Sequence, residues 1–320
     1  DELCQRTSGG ATMNSTPCDD GLLLPGLDGT NPLGFLAALG VLRVLSLGRH
    51  GVKLSWRLSG GTWRPMVFGV PLPLDELGSE LHSIIRDLDQ SAWSIDKKLP
   101  FEANLLRCNL NAVVAAVSHQ TRQKADDLTS FGVEFYTDKD GLFERTELCM
   151  VRTGDSAGQG LTAYARQVIE TIESRQIQQT VETTWMYNDD GYVLRWDPNE
   201  DKPYAMQWRN PSKVGAPSQK GANCLALFGM ACFPVIPVRG QAETTGFGLK
   251  RSKQVSLTWP LWNHPVSLNV VHSLLTLTEL QREQPSRSEL DPLGVAAVYR
   301  CDRIMTSTYY ANFTPASRVA

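Results

Sequence analysis

LPGLDGTNPLGFLAALGVLRVLSLGRHG, Leu24 to Gly51, is the stretch that decides how this chain folds. A glycine-rich lead through Gly26, Asp28, Gly29 and Thr30 runs into Asn31-Pro32. Asn caps a helix well, and proline at the first helical position has no amide to leave unpaired, so a helix starts here. From Leu33 to Leu47 the only charged side chain is Arg43. A helix apolar on nearly every face is a buried helix, and this one falls short of the roughly 20 apolar residues a bilayer demands. Gly34, Ala37, Ala38 and Gly40 carry almost no side chain. Other segments can therefore approach closely, at about 1 kcal/mol of helix propensity per glycine. The stretch reads as the central strut of the N-terminal half, and its lone Arg43 calls for a buried carboxylate or a partner surface.

Working outward, VKLSWRL (52–58) and TWRPMVF (62–68) alternate on either side of Ser59-Gly60-Gly61 and read as a hairpin. Pro65 is expected to confine the second strand to a sheet edge. PLPLDELGSELHSIIRDL turns helical near Asp75, with Leu77, Leu81, Ile84, Ile85 and Leu88 on one stripe. A longer helix is expected from about Glu102 to Ala125, on the stripe Leu105, Leu106, Val113, Val114 and Val117. Asp138-Lys139-Asp140-Gly141 marks a turn, and ELCMVRT before Gly154 a strand. Residues 160–183 read as one amphipathic surface helix with Leu161, Tyr164, Val168 and Ile172 inward.

Past Asn188-Asp189-Asp190-Gly191 the texture changes. Aromatic strands YVLRW (192–196) and YAMQW (204–208) precede a Pro/Ser/Lys loop to Lys220 and a short buried helix in GANCLALFGMAC. FPVIPV, TTGFGL and QVSLTWP supply further strands, and SLNVVHSLLTLTEL a last helix. The order is mixed rather than strictly alternating, so the expected class is α+β, with short antiparallel strands and a non-Rossmann arrangement. The expected division is a flexible tail over 1–21 with Met13 as a candidate start, a helix-rich lobe with a hairpin over 22–187, and a strand-rich basic and aromatic lobe over 188–320.

With 320 residues the chain is long enough for a sizeable core, and its 42% hydrophobic and 20% charged content are globular values. The net charge of −3, from 31 basic and 34 acidic side chains, points to no nucleic-acid partner by bulk charge. Such binding requires a local patch. The seven cysteines (4, 18, 108, 149, 224, 232 and 301) form no C-x-x-C pair, which argues against zinc or a disulfide framework and for reduced cytoplasmic thiols. No signal peptide or membrane-spanning run is read.

One motif looks catalytic. Gly154-Asp155-Ser156-Ala157-Gly158 fits the G-x-S-x-G nucleophile elbow between an expected strand and an expected helix. A serine hydrolase built on Ser156 would need Asp197 or Asp291 and then His264 or His272 to keep the order Ser, Asp, His. Against it, no HGGG-type oxyanion segment and no run of parallel βα units precedes the serine, and the pattern arises easily in a Gly/Ser loop. Phosphate-cradling G-x-x-x-x-G-K-[ST] and G-x-G-x-x-G are missing, and the five histidines stand apart without H-E-x-x-H. No catalytic set, no cofactor and no metal are expected.

Charge collects instead. From Lys202 to Pro260, Lys202, Arg209, Lys213, Lys220, Arg239, Lys250, Arg251 and Lys253 stand against Glu243 alone, a local +7 within an acidic chain. Trp196, Tyr204, Trp208, Phe247 and Trp259 interleave with them. Basic side chains neutralise phosphates and aromatic ones stack bases. Arg209-Asn210 adds groups able to read guanine and adenine edges. Lys202, Arg209, Asn210, Lys213, Lys220, Lys250, Arg251 and Lys253 are the candidate nucleic-acid contacts, with Lys250-Arg251-Ser252-Lys253 at the tip of a hairpin in TTGFGLKRSK. Trp196 and Trp208 in alternating strands read first as core.

The LDGTNPLGFLAALGVLRVL opening, the later WDP...Y...W.NPS...GAN.LA run and the TTGFG...WPLW stretch resemble the large subunit of the type I-G (formerly I-U) CRISPR surveillance complex, Cascade, over about Leu22 to Leu277. The resemblance implies a non-catalytic subunit in antiviral defence. It would engage the short motif (PAM) flanking the target in double-stranded DNA, aid duplex opening and recruit the helicase-nuclease. Sequence specificity would come from the guide RNA, held with its backbone and guide-processing subunits. Related large subunits can encode a small helical subunit from an internal start; Met150 and Met186 are in frame, though the segment after Met186 reads strand-rich. A scaffold binding only protein is the competing class.

Overall fold

The computed structural model describes residues 21–116, 119–150, 160–189, 193–200, 218–249, 254–305 and 311–320. β1 (Leu22–Leu23) leads into α1 (Pro32–Gly48), and β2 (Lys53–Ser59) and β3 (Thr62–Phe68) form the expected hairpin, with Gly60 and Gly61 at positive φ in its turn. α2 (Leu74–Asp87), α3 (Ala103–Ala116) and α4 (His119–Thr129) precede a second hairpin, β4 (Gly132–Thr137) with β5 (Phe143–Arg145). α5 (Leu161–Thr171), α6 (Ser174–Glu182) and α7 (Lys220–Met230) come next. Two more hairpins pair β6 (Val235–Val238) with β7 (Gln241–Thr244), and β8 (Phe247–Leu249) with β9 (Val255–Trp262). α8 (Leu268–Leu275), α9 (Arg287–Leu290), β10 (Val295–Met305), β11 (Ala311–Phe313) and β12 (Ser317–Arg318) complete the chain. The class is α+β. Its sheets are small and antiparallel: β1-β3-β2, then β11-β10-β9-β8 with β12 also on β10, and the pairs β4-β5 and β6-β7.

α1 is the centre. Asn31 caps it, its Oδ1 accepting from the Gly34 amide at 3.1 Å, and every residue from Pro32 to Leu45 is buried. One side lies along α7, itself buried from Gly221 to Met230. On another side Phe35 stacks on Trp56 of β2 and Trp259 of β9, each at 5.7 Å between ring centroids, and meets Trp262 edge-on at 6.5 Å. The indole of Trp262 donates to the Leu54 carbonyl, tying the two sheets together. Arg43 of α1 pairs with Asp127 of α4 at 2.7 Å, both side chains 1% exposed, and also donates to the carbonyls of Phe228 and Gln123. One apolar cluster runs from Leu24 to Phe313 through all these elements.

Several expectations are corrected. Pro65 lies in the middle strand, not at an edge: β3 is flanked by β1 and β2. Its carbonyl accepts from Leu24 at 2.9 Å, while the Leu24 carbonyl, which a full antiparallel pair would bond to the missing Pro65 amide, accepts from Leu27 instead. The expected 102–125 helix is helical over α3 and α4, with residues 117 and 118 outside the described residues; of the described residues of its stripe Leu106 and Val113 are buried, whereas Leu105 and Val114 are exposed. One long helix is two. Residues 160–183 break between α5 and α6, where Glu173 and Gln176 form a reciprocal capping box. Residues 147–150 are not a strand, and residues 193–196 are irregular because Leu194 donates its amide to the Asn223 side chain and Arg195 has φ 62°. β10, for which no element is expected, is the longest strand among the described residues.

Candidate functional site at the head of the central helix

The lead into α1 is held by short-range bonds. Asp28 Oδ1 accepts from the amide and the hydroxyl of Thr30, both at 2.8 Å. That leaves the Asn31 side chain free to do two things at once. Its Oδ1 caps α1, and its Nδ2 donates to Asp197 Oδ1 at 2.9 Å, across 166 residues of chain. The Gly29 carbonyl accepts from the Trp259 indole at 2.8 Å. Asp28 to Asn31, Asp197 and Trp259 come from three stretches far apart in the chain, and the fold brings them to one place.

Asp197, 1% exposed, also accepts from the Tyr187 hydroxyl at 2.7 Å and the Asn199 amide at 2.8 Å. Three residues on, Glu200 is 3% exposed. Its Oε1 accepts from Asn223 Nδ2 of α7 at 2.7 Å, with longer contacts from the Ser218 hydroxyl at 3.4 Å and the Gln219 amide at 3.5 Å, while its Oε2 has no partner. Burial first, then the neighbouring Asp197, raises the Glu200 carboxyl to about 8 against the lowering effect of these donors. Asn223, fully buried, receives the Leu194 amide on its Oδ1. Burial also pushes the hydroxyls of Tyr164 and Tyr187 well above the usual phenol range. Both carboxyl groups are closed off from solvent, so the arrangement clamps segments together rather than presenting a reacting group.

Of the candidate nucleic-acid contacts, Lys220 alone falls among the described residues. It starts α7: its amide donates to Asp189 Oδ2 at 2.8 Å and its ammonium to the Thr171 carbonyl at the end of α5 at 2.9 Å. Lys202, Arg209, Asn210, Lys213, Lys250, Arg251 and Lys253 lie outside the described residues. Their flanks are described. Glu200 and Ser218 bracket the first group, and the antiparallel β8 and β9 bracket the second. In the aromatic half of the patch, Trp196 is core as first read, fully buried and donating to the Leu148 carbonyl; Trp259 is corrected, being fully buried as well, and the half-buried Phe247 stacks on Phe313 at 6.1 Å. Buried rings already hydrogen-bonded or stacked cannot receive bases. Tyr204 and Trp208 lie outside the described residues.

Ser156 and its G-x-S-x-G loop also lie outside the described residues. Asp197 is taken up by Asn31, Tyr187 and Asn199, and Asp291 pairs with Arg287 at 2.7 Å. Burial lowers the His272 imidazole, and its Nε2 has no partner. Among the described residues no group of three His, Cys, Asp or Glu is placed to hold a metal ion, and no helix is long and apolar enough to cross a membrane. The buried thiols of Cys224 and Cys232 are pushed up to about 12, where they stay unreactive near neutral pH.

Sequence reasoning read Asn31 only as a cap and missed Glu200, Asn223 and Tyr187. The WDP motif just ahead of Glu200 and the GAN motif that contains Asn223 are the signals for those two, and Tyr187 lies in neither. The chain matches no protein-family model and no curated protein.

Proposed function

We propose that this chain is the non-catalytic, DNA-binding large subunit of a cytoplasmic RNA-guided surveillance complex of the type I-G CRISPR class. Its role is to engage the motif flanking the target in double-stranded DNA, to aid duplex opening and to recruit the helicase-nuclease. Cleavage belongs to that partner, and guide RNA pairing supplies the sequence specificity. One observation carries the proposal. The three stretches that resemble the family meet at the head of α1, through Asn31 to Asp197 and Trp259 to Gly29. In the sequence the basic residues Lys202 to Lys213 fall between Glu200 and Ser218, and Lys250 to Lys253 between β8 and β9.

The test compares the affinity of a reconstituted guide-RNA complex for a target duplex with and without this chain, at two salt concentrations. A Lys250→Ala/Arg251→Ala/Lys253→Ala variant is run alongside. Every phosphate that a basic side chain no longer neutralises lowers the slope of log affinity against log salt by about 0.9. The proposal expects the chain to tighten binding and the triple variant to lose both affinity and slope. A chain that leaves affinity unchanged refutes it.

A protein-only adaptor is the second reading, favoured by the large apolar side chains that remain exposed: Val114 at 71%, Phe135 at 65% and Ile236 at 46%. It predicts assembly with the other subunits and no salt-sensitive contribution to DNA binding.

A further inference from the structure

We propose that the outward face of the β2–β3 hairpin binds the phosphate backbone of double-stranded DNA, with Lys53, Arg57 and Arg64 as cationic contacts and Ser59 and Thr62 as hydroxyl donors. The identity of the polyanion rests on the DNA-binding role proposed above, while the surface itself is separate from the basic residues named there.

Acidic residues make up 34 of the 320 in this chain, yet none stands between Asp28 and Asp75. Five Lys and Arg residues do: Arg43, Arg49, Lys53, Arg57 and Arg64. The two outside the hairpin find carboxylates, Arg43 on Asp127 and Arg49 on Glu80. Among the described residues the three in the hairpin find none, and the exposed side chains of Lys53 and Arg57 have no hydrogen-bond partner either.

The hairpin register puts these residues on one face. Arg57 pairs directly with Arg64 and Ser59 with Thr62, and Lys53 lies four residues before Arg57 on β2. Side chains alternate along a strand, and directly paired residues point to the same side. The opposite side carries Leu54 and Trp56 into the core, where Trp56 stacks on Phe35, so the basic face points away from α1. Like charges directly opposite each other across strands destabilise a sheet. No acidic side chain among the described residues relieves the Arg57 and Arg64 pair, and an anion beside the two turns that repulsion into attraction. Arg64 Nη1 donates to the Leu27 carbonyl at 2.9 Å, which holds the guanidinium in place while its other N–H groups stay open.

A DNA backbone answers this arrangement. Cations with hydroxyls beside them are the side chains that contact phosphate and sugar, and the arginine fork matches phosphate oxygens. Lys53 and Arg57 stand about 13 Å apart along β2 at about 3.3 Å per residue, the axial length of roughly four phosphates of one DNA strand. β1 pairs only with Met66 and Val67, so towards its tip the hairpin is a two-stranded ribbon, narrow enough for the major groove.

The test measures binding of the full chain alone to a labelled DNA duplex over a range of salt, with polyglutamate as the comparison polyanion. Lys53→Gln/Arg57→Gln is expected to lower the slope of log affinity against log salt by about 1.8 and to weaken binding about tenfold or more. Its melting temperature should not fall, because both side chains are exposed and one leaves a like-charge pair. Arg57→Lys should keep the slope, and Arg175→Gln, which removes an exposed cation beside Glu173, should match wild type. Wild-type affinity and slope in the double variant overturn the assignment, and so does an equal loss in Arg175→Gln. A chain that binds no duplex, or binds polyglutamate as tightly as the duplex at equal salt, overturns it as well. Should the double variant fail to fold, Arg57→Gln alone decides, with an expected slope loss of about 0.9. Hairpin-dependent binding by the free chain that adds nothing to the guide-RNA complex refutes the surveillance role and leaves the surface standing. A free chain indifferent to the double variant, in a complex that the chain still tightens, does the reverse.

Discussion

Gly40 of α1 and Gly229 of α7 sit against each other's helix backbone. A Cβ at Gly40 would collide with the Leu225 carbonyl, and one at Gly229 with the Leu36 carbonyl. The helices cross where neither has a side chain, and that crossing lets α7 bury along α1. Alanine at either position gains about 1 kcal/mol of helix propensity and loses more by forcing the backbones apart. Gly40→Ala and Gly229→Ala are each expected to destabilise by about 3 kcal/mol, read as a lower urea midpoint. Gly48→Ala is the control: its Cβ would meet only the end of the Ile84 side chain at 2.9 Å, and it should cost far less.

Arg43 and Asp127 form an ion pair with both side chains 1% exposed. Removing one partner strands the other charge, and Arg43→Met is expected to destabilise by about 3–5 kcal/mol. Arg43→Met combined with Asp127→Leu should recover much of the loss. A double variant no more stable than Arg43→Met, measured by chemical unfolding, would show that the carbonyl contacts of Arg43, rather than the pairing, hold this part of the core.

Glu200 makes stability fall with rising pH. Its folded-state carboxyl stands at about 8 against the ordinary 4.5, so between these values the folded chain holds a proton the unfolded chain releases. The contribution is fully present below about pH 4.5 and is lost as pH rises through about 8. Melting temperature measured from pH 5 to 8.5 should fall more steeply for wild type than for Glu200→Gln, which does not titrate. Parallel curves would refute the assignment.

Asn31 serves both as the cap of α1 and as a donor to Asp197. Loss of the cap alone costs about 1 kcal/mol. A double-mutant cycle of Asn31→Ala with Asp197→Ala is expected to show about 1–2 kcal/mol of coupling by chemical unfolding. Coupling under about 0.3 kcal/mol would mean that Asn31 acts only as a cap.

Local chemistry was enough for the parts of this fold in which a segment's own pattern settles its state. Asn31-Pro32 before an apolar run specifies a capped, buried helix, and Gly60-Gly61 between alternating runs specifies a hairpin; both stand in the structure. The apolar run of α7 and the strand of β9 were legible for the same reason. β10 was not. A bulge between Val295 and Ala297 disturbs its period, and it carries a buried Arg300 whose guanidinium is satisfied by the carbonyls of Leu280, Arg282 and Glu283, partners no local pattern reveals.

The site divides in the same way. Its residues stood in quotable motifs, yet Asn31 meets Asp197 across 166 residues and Trp259 meets Gly29 across 230. Periodicity reports that a face will be buried and cannot report what covers it. Only the tertiary structure decided that Trp259 belongs to the core rather than to a base-stacking surface, and that Glu200 closes on α7. Those outcomes depend on long-range packing and on burial of polar groups that must find each other, and neither is written in any one stretch of the chain.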